Sequence, residues 1–201
     1  MNQIKVKNIF AAVFEKSVLN GLLEVLDRQT DKGGTSDSRT DFEIRQIRFW
    51  GTEGTIRYVK SKGFWGKSVI RGFDYGGRVK SLDRTNFVRI LADSRKSDHA
   101  RHLKKEKLEA IDLVVVDLYA PDPKIFPESM DIGGQSLIRS AIKNYKNVTL
   151  AFDKKSISDL IKELKSHNGS TTLAFRKSQA KKATKFIAQR TKLEANMFDK
   201  V

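Results

Sequence analysis

Residues Ile111 to Val116 read IDLVVV, a short, nearly all-apolar and β-branched run that suits only a position covered on both faces. The run predicts a buried strand of a parallel sheet. All three prolines of the chain follow between Pro121 and Pro127, a stretch that can continue neither strand nor helix, so it must loop at the carboxyl end of that strand. Open α/β sheets bind their ligands at that edge. Asp117-Leu118-Tyr119, just ahead of the prolines, is therefore well placed to meet one.

Strand and helix signals alternate along the rest of the chain. Ile4 to Phe14 alternates at first and then turns continuously apolar, the pattern of a first strand entering a buried sheet. Lys16-Ser17 follows at once, and Val18, Leu22, Leu23, Val25 and Leu26 fall on roughly one helical face. Residues 30–41 are polar or glycine throughout and read as an exposed insertion. A second strand is predicted near Ile44 to Trp50, then the turn Gly51-Thr52-Glu53-Gly54-Thr55 and a short helix stopped by Gly63. Gly133-Gly134 opens a helix to about Asn144, and Asn147 to Phe152 forms another strand. Ser156 caps a helix to His167 whose Ile157, Leu160, Ile161 and Leu164 make a buried stripe. Arg176 to Lys192 reads as a basic amphipathic helix with Ala180, Ala183, Ile187 and Ala188 toward the core, inside a helical part over about 170–201. The whole is an α/β domain with a mostly parallel sheet and helices on both faces.

A chain of 201 residues at 39% hydrophobic composition holds one core over 1–201 and has no room for two large domains. The lack of cysteine excludes disulfides, a thiol nucleophile and a cysteine zinc site. His99, His102 and His167 lack metal-ligand spacing and read as surface residues, and Trp50 and Trp65 read as core. The apolar run Ile9 to Phe14 falls far short of the ~18 residues of a membrane span, and no signal-peptide pattern precedes it. A soluble, cytoplasmic protein without membrane partners is expected. Lys plus Arg number 39 against 24 Asp plus Glu, a net +15 that suits a phosphorylated small molecule, a nucleic acid or a merely solvated surface. No recognised nucleic-acid motif accompanies the basic segments 95–107 and 176–192, which ranks nucleic acid last.

Five groups carry candidate chemistry. Lys16-Ser17, Gly51 to Thr55 and Asp131-Ile132-Gly133-Gly134 lie where a strand hands over to a helix, and helix amino termini attract anions. In Gly76-Gly77-Arg78-Val79-Lys80-Ser81, strand alternation would put Arg78 and Lys80 on one side. Arg139 and Lys143, four apart, share one helix face in the helix that Asp131 introduces.

Taken in order, these groups resemble a known family. Lys16-Ser17, Gly51-Thr52-Glu53-Gly54-Thr55, Gly77-Arg78-Val79-Lys80-Ser81-Leu82, Asp112 to Tyr119, and Asp131-Ile132-Gly133-Gly134 followed by Leu137-Ile138-Arg139-Ser140-Ala141 and Lys143-Asn144 are similar to the IMP cyclohydrolase domain of the bifunctional purine biosynthesis protein. The resemblance runs from Ile9 to about Phe198 and implies a three-layer methylglyoxal-synthase-like fold, usually a homodimer. It leaves no room for the family's formyltransferase domain, so a stand-alone cyclohydrolase domain is expected. The implied reaction closes the pyrimidine ring of FAICAR (5-formamidoimidazole-4-carboxamide ribotide) to give IMP and water, without cofactor or metal, as a cyclic amidine hydrolase acting in the ring-closing direction.

By resemblance the reacting end comprises Lys80, Tyr119, Asp131 and Lys143, with Asp131 and Lys143 handling protons and Lys80 and Tyr119 positioning the substrate and stabilising the oxyanion. The nucleotide phosphate would lie against Lys16, Ser17, Thr52, Gly54, Thr55 and Arg78, with Ser81, Asp117, Gly133, Gly134 and Arg139 completing the substrate site. Four places depart from the family pattern: Ser81-Leu82-Asp83-Arg84 for Thr-Leu-His-Pro, Asp117-Leu118-Tyr119-Ala120-Pro121 for Asn-Leu-Tyr-Pro-Phe, Lys143-Asn144-Tyr145 for Lys-Asn-His, and a shorter Asp74-Tyr75-Gly76 for a longer Phe-Pro-Glu type stretch before Arg78. The added carboxylates at Asp83 and Asp117, with Tyr145, motivate an alternative, a non-catalytic purine-nucleotide sensor of the same fold. Methylglyoxal synthase activity is a weaker alternative still.

Overall fold

A computed structural model describes residues 2–30, 47–70, 72, 75–93 and 95–199, so nearly all of the 30–41 insertion lies outside the described residues. In chain order the elements are β1 (Gln3–Lys5), β2 (Asn8–Ala12), a 3-10 turn (Lys16–Leu19), α1 (Asn20–Thr30), β3 (Arg48–Gly51), α2 (Glu53–Ser61) and β4 (Trp65–Ser68). There follow α3 (Arg84–Leu91), α4 (Ser97–Lys105), β5 (Leu113–Val116), a 3-10 turn (Pro123–Ile125), α5 (Ile132–Lys143), β6 (Thr149–Ala151), α6 (Lys154–Ser166), β7 (Ser170–Thr172) and α7 (Leu173–Phe198). Five strands form one sheet in the order β4-β3-β2-β5-β6, every neighbouring pair parallel. Strands β1 and β7 make a separate antiparallel pair.

The continuous apolar run of β5 has the expected cause. Leu113 and Val115 face a core built with Leu22, Leu26, Ile56, Leu160 and Leu164 of α1, α2 and α6. Val114 and Val116 face a second core with Ile90, Leu137, Ile138, Ala183 and Ile187 of α3, α5 and α7. Helices cover both faces, giving the three-layer α/β architecture. Among the described residues no helix is long and apolar enough to cross a membrane.

Several expectations change in detail. The first strand is not continuous from Ile4, because the Val6 amide donates to the Gly169 carbonyl and the Lys7 and Asn8 amides donate to the Asp112 carboxylate, which turns the chain from one sheet into the other. Strand β4 and helices α3 and α4 carry no signal that the pattern reading used: β4 has four residues with a glycine and a lysine among them, and α4 is predominantly polar. Residues 76–81 are not a strand but a series of turns, since Tyr75, Gly76 and Gly77 all take positive φ, which a pleated strand excludes. Helix α6 begins three residues earlier than expected: Asp153 is its cap, accepting from the Ser156 amide at 2.6 Å, while Ser156 Oγ accepts from the Asp153 amide at 2.9 Å. In α7, Ala188 faces solvent, and Arg176 is buried instead of solvated. Its guanidinium donates to the carbonyls of Thr171 at 2.6 Å, Tyr145 at 3.1 Å and Lys146 at 3.3 Å, closing the carboxyl end of α5.

Gly51 ends β3 where that strand passes against β2, and a Cβ there would overlap the Ala11 carbonyl oxygen. The obstacle is backbone of a paired strand, which no rotamer change relieves. Gly51→Ala is expected to destabilise the fold by about 3 kcal/mol or to prevent folding, as read by urea denaturation. A loss below about 1 kcal/mol would show that β2 and β3 separate here at little cost.

Candidate functional site

The carboxyl edge of the sheet collects residues from five connections. After β2, Phe14 and Glu15 lead into the 3-10 turn that carries Lys16 and Ser17. Both Asp117 oxygens are taken up here: Oδ1 accepts from the Phe14 amide and Oδ2 from the Glu15 amide at 3.0 Å. Lys16 Nζ donates to the Phe14 carbonyl at 2.8 Å, and its side chain lies beside Gly54. Ser17 Oγ donates to Glu15 Oε1 at 2.7 Å, and the other Glu15 oxygen pairs with Lys154 Nζ at 2.9 Å.

After β3, Thr52 is the amino-terminal cap residue of α2, with Gly54 and Thr55 in the first turn. Thr55 is fully buried, its Oγ1 3.2 Å from the Val13 amide and 3.3 Å from the Val13 carbonyl, so it ties α2 to the end of β2. Thr52 Oγ1 lies 3.0 Å from Thr55 Oγ1. Lys16 beside the amino terminus of α2 makes an anion-attracting corner from a cation and unpaired helix amides.

The third connection brings Arg78, Lys80 and Ser81. Arg78 pairs with Glu128 on the proline loop, with both side chains largely exposed. Lys80 folds back over Gly77, and buried Ser81 sets its hydroxyl against Gly133, where a Cβ would come within 2.8 Å. Absent side chains at Gly133 and Gly134 thus let this segment and the β5 loop close onto the amino end of α5. At that end Asp131 caps the helix, Oδ1 accepting from the Gly134 amide at 2.6 Å.

Asp131, Lys80 and Tyr119 form the electrostatic centre. Burial is the main force raising the Asp131 carboxyl above its ordinary value, and Asp117 adds to it; the Gly134 amide, Arg190 and Lys80 pull the other way. Tyr119 is also raised, first by burial and then by the Asp131 charge, with Arg190 opposing. The Phe14 and Tyr119 rings lie 5.8 Å apart at 50°, and both are exposed at the mouth of the site.

Arg190 has no counterpart among the expected site residues. It reaches over from α7, donating from Nη2 to the Tyr119 carbonyl at 2.7 Å and the Leu118 carbonyl at 3.4 Å. In the sequence it is one cation among many on a basic helix, 71 residues beyond its partner, and no local spacing marks it.

Arg139 and Lys143 lie elsewhere. The segment from Asp131 to Lys143 is one cap residue and a straight helix, so Lys143 stands about 18 Å from Asp131 at ~1.5 Å per residue. Both line a shallow apolar cavity with Leu91, Ile142 and Ile187 between α5 and α7. Within one chain the structure therefore brings together Lys80, Tyr119 and Asp131 and does not bring Lys143 to them. Among the described residues no group of three or more His, Asp or Glu is placed to hold a metal ion.

No family model matches the chain. The bifunctional purine biosynthesis protein PurH of Rhizobium leguminosarum is 29% identical over 194 residues, covering 90% of this chain and 33% of that protein. PurH of Rhizobium johnstonii is 32% identical over 180 residues (84% and 34%), and PurH of Brucella ovis 32% over 166 residues (77% and 31%). The chain thus spans about a third of the length of the curated relatives it matches. Among solved structures, the crystal structure of ForH superposes with a TM-score of 0.74 at 26% identity, over 96% of this chain and 99% of that one.

Arg190→Met is expected to raise the Asp131 carboxyl further, because it removes a positive charge that favours the ionised form. Carboxyl carbon NMR across an acid titration, with Asp131→Asn identifying the signal, reads the shift. An unchanged or lowered midpoint would remove Arg190 from the electrostatics of the site.

Proposed function

We propose, from the premise that this chain is a homologue of the bifunctional purine biosynthesis protein PurH, that it is an IMP cyclohydrolase, closing the pyrimidine ring of FAICAR to give IMP and water. The relationship supports a role in purine biosynthesis and a small-molecule nucleotide partner. The finer reading is supported by one observation: at the carboxyl edge of the sheet Lys80 acts electrostatically on the Asp131 carboxyl, and Asp131 on Tyr119.

In the proposed reaction the carboxamide nitrogen attacks the formyl carbon and loses one proton while the formyl oxygen gains one; the resulting hydroxyl then leaves as water with the formamide N–H proton, as the ring C=N bond forms. Ring closure within one bound molecule gains most from orientation. The exposed Phe14 and Tyr119 rings offer faces for the planar base, and Lys16, the α2 amino terminus and Arg78 offer positive charge for the phosphate. Asp131 takes the proton. Its raised pKa makes the carboxylate a stronger base than an exposed aspartate, while the Gly134 amide, Arg190 and Lys80 favour its ionised form, and Lys80 faces the developing oxyanion with Tyr119. Lys143 joins this chemistry only if a second copy of the chain supplies it, which is where the expected homodimer enters.

The structural positions of the departures favour turnover over the sensor alternative. Asp83 caps α3 through the Thr85 amide at 2.8 Å, Asp117 holds the Phe14 and Glu15 amides, and the Tyr145 carbonyl receives Arg176. The two carboxylates thus have work in the fold that accounts for them, whereas the contact at Tyr145 is made by its main chain and does not account for the tyrosine side chain.

Conversion of FAICAR to IMP, followed by ultraviolet absorbance, tests the reading. Asp131→Asn and Lys80→Ala are each expected to lower kcat by about 100-fold or more, with IMP binding retained. Wild-type protein that binds IMP without ring closure above the uncatalysed rate would transfer the assignment to the sensor. In the same assay, loss of turnover in Lys143→Ala would mean that a second copy completes the site; full activity would remove Lys143 from the machinery.

A further inference from the structure

Helix α7 runs on beyond the second core. Ala183 and Ile187 pack into that core, and the helix then continues to Phe198. Three residues of this last stretch, Arg190, Glu194 and Phe198, stand four apart and so share one face. Each grips a different segment of the candidate site. Arg190 Nη2 donates to the Tyr119 carbonyl at 2.7 Å, on the loop that leaves β5. Glu194 Oε1 accepts from Gln135 Nε2 at 2.7 Å, and Gln135 follows Gly134, whose amide Asp131 binds. Phe198 packs edge to face on Phe126 of the proline loop, the centroids 4.7 Å apart at 76°. The helix rises about 12 Å over these residues, so one rigid bar spans all three segments.

The bond at Glu194 is buried, with the residue only 6% exposed. Burying a carboxylate carries a desolvation cost that an apolar residue at the same place would avoid. What the carboxylate adds is direction, because a hydrogen bond holds its partner at one distance and angle while apolar packing tolerates sliding. Arg190 adds direction on the other side, fixing the peptide from which the Tyr119 side chain springs. The phosphate corner is fastened separately, through Asp117 to the Phe14 and Glu15 amides and through Thr55 to Val13.

We propose that Arg190, Glu194 and Phe198 are positioning residues, a latch that holds the Tyr119 loop, the Asp131 end of α5 and the proline loop in one arrangement. That the arrangement serves ring closure rests on the cyclohydrolase reading; the fastening itself does not. Because the phosphate corner is held by other groups, loosening the latch acts on turnover and leaves substrate binding in place.

The Ser129, Met130 and Gly134 amides are hydrogen-bonded within the latched segments and report on it directly. Their hydrogen exchange, read by NMR, is expected to quicken about tenfold in Glu194→Leu and in Phe198→Ala, with residues 56–59 of α2 unchanged. In the FAICAR assay Glu194→Leu is expected to lower kcat about tenfold or more with KM held within about twofold, and Glu194→Gln, which keeps the acceptor, to restore it. Leu193→Ala, exposed in the same helical turn, changes neither. Phe198 is 55% exposed, so its truncation keeps the test open if Glu194→Leu does not fold. Exchange as slow as in the wild type, Glu194→Gln as impaired as Glu194→Leu, or a raised KM at unchanged kcat would each overturn the latch. Wild-type protein that closes no ring would refute the cyclohydrolase reading instead, and the exchange rates alone would then decide the latch.

Discussion

Two carboxylates at the ends of one buried strand hold the molecule in register. Asp112 precedes β5 and accepts the Lys7 and Asn8 amides where β2 begins; Asp117 follows β5 and accepts the Phe14 and Glu15 amides where β2 ends. Because β2 and β5 are parallel, the flanking aspartates meet corresponding ends of the same neighbour, and the central pair of the sheet is clamped at both. Amides leaving a strand have lost their ladder partners, and an ionised acceptor satisfies them more strongly than a neutral one. The clamp also shapes the candidate site. By fixing Phe14 and Glu15 it places the turn bearing Lys16 and Ser17, and by ending β5 it releases Tyr119 toward Asp131.

The candidate site follows from that edge and from the stiffness of α5. A helix cap projects from the helix end, so Asp131 necessarily faces the carboxyl edge once β5 and α5 are packed, and the glycines behind it allow Ser81 and Leu118 to approach. The same stiffness carries Lys143 to the opposite end of the helix. Proximity in the sequence motif is thus not proximity in space, and the cation that stands near Asp131 besides Lys80 comes from α7.

Some of the positive charge proves structural. Arg176, which reads in the sequence as part of a basic helix, ties the carboxyl end of α5 to β7, and Arg89 stacks on Trp50 inside the second core. Lys182 pairs with Asp159 at 2.9 Å between α7 and α6. A net charge of +15 therefore overstates the cationic surface available to a partner, since some of it is spent on carbonyls and aromatic faces within the fold.

The local pattern was enough to determine the class of fold and the edge where a site would form. The run Leu113–Val116 is apolar on both faces, the prolines stop it, and Gly133-Gly134 starts the next helix, all consequences of backbone stereochemistry and burial that act within a few residues. Short edge elements such as β4 and the polar helix α4 were not legible, because their stability comes from neighbours and not from their own periodicity. Only the tertiary structure decided which charged groups meet: Asp117 with the Phe14 and Glu15 amides, Arg190 with the Tyr119 carbonyl, and Lys143 apart from Asp131. These juxtapositions are set by how rigid elements pack across tens of residues, and electrostatic partnership depends on distance in space, which a one-dimensional spacing does not encode.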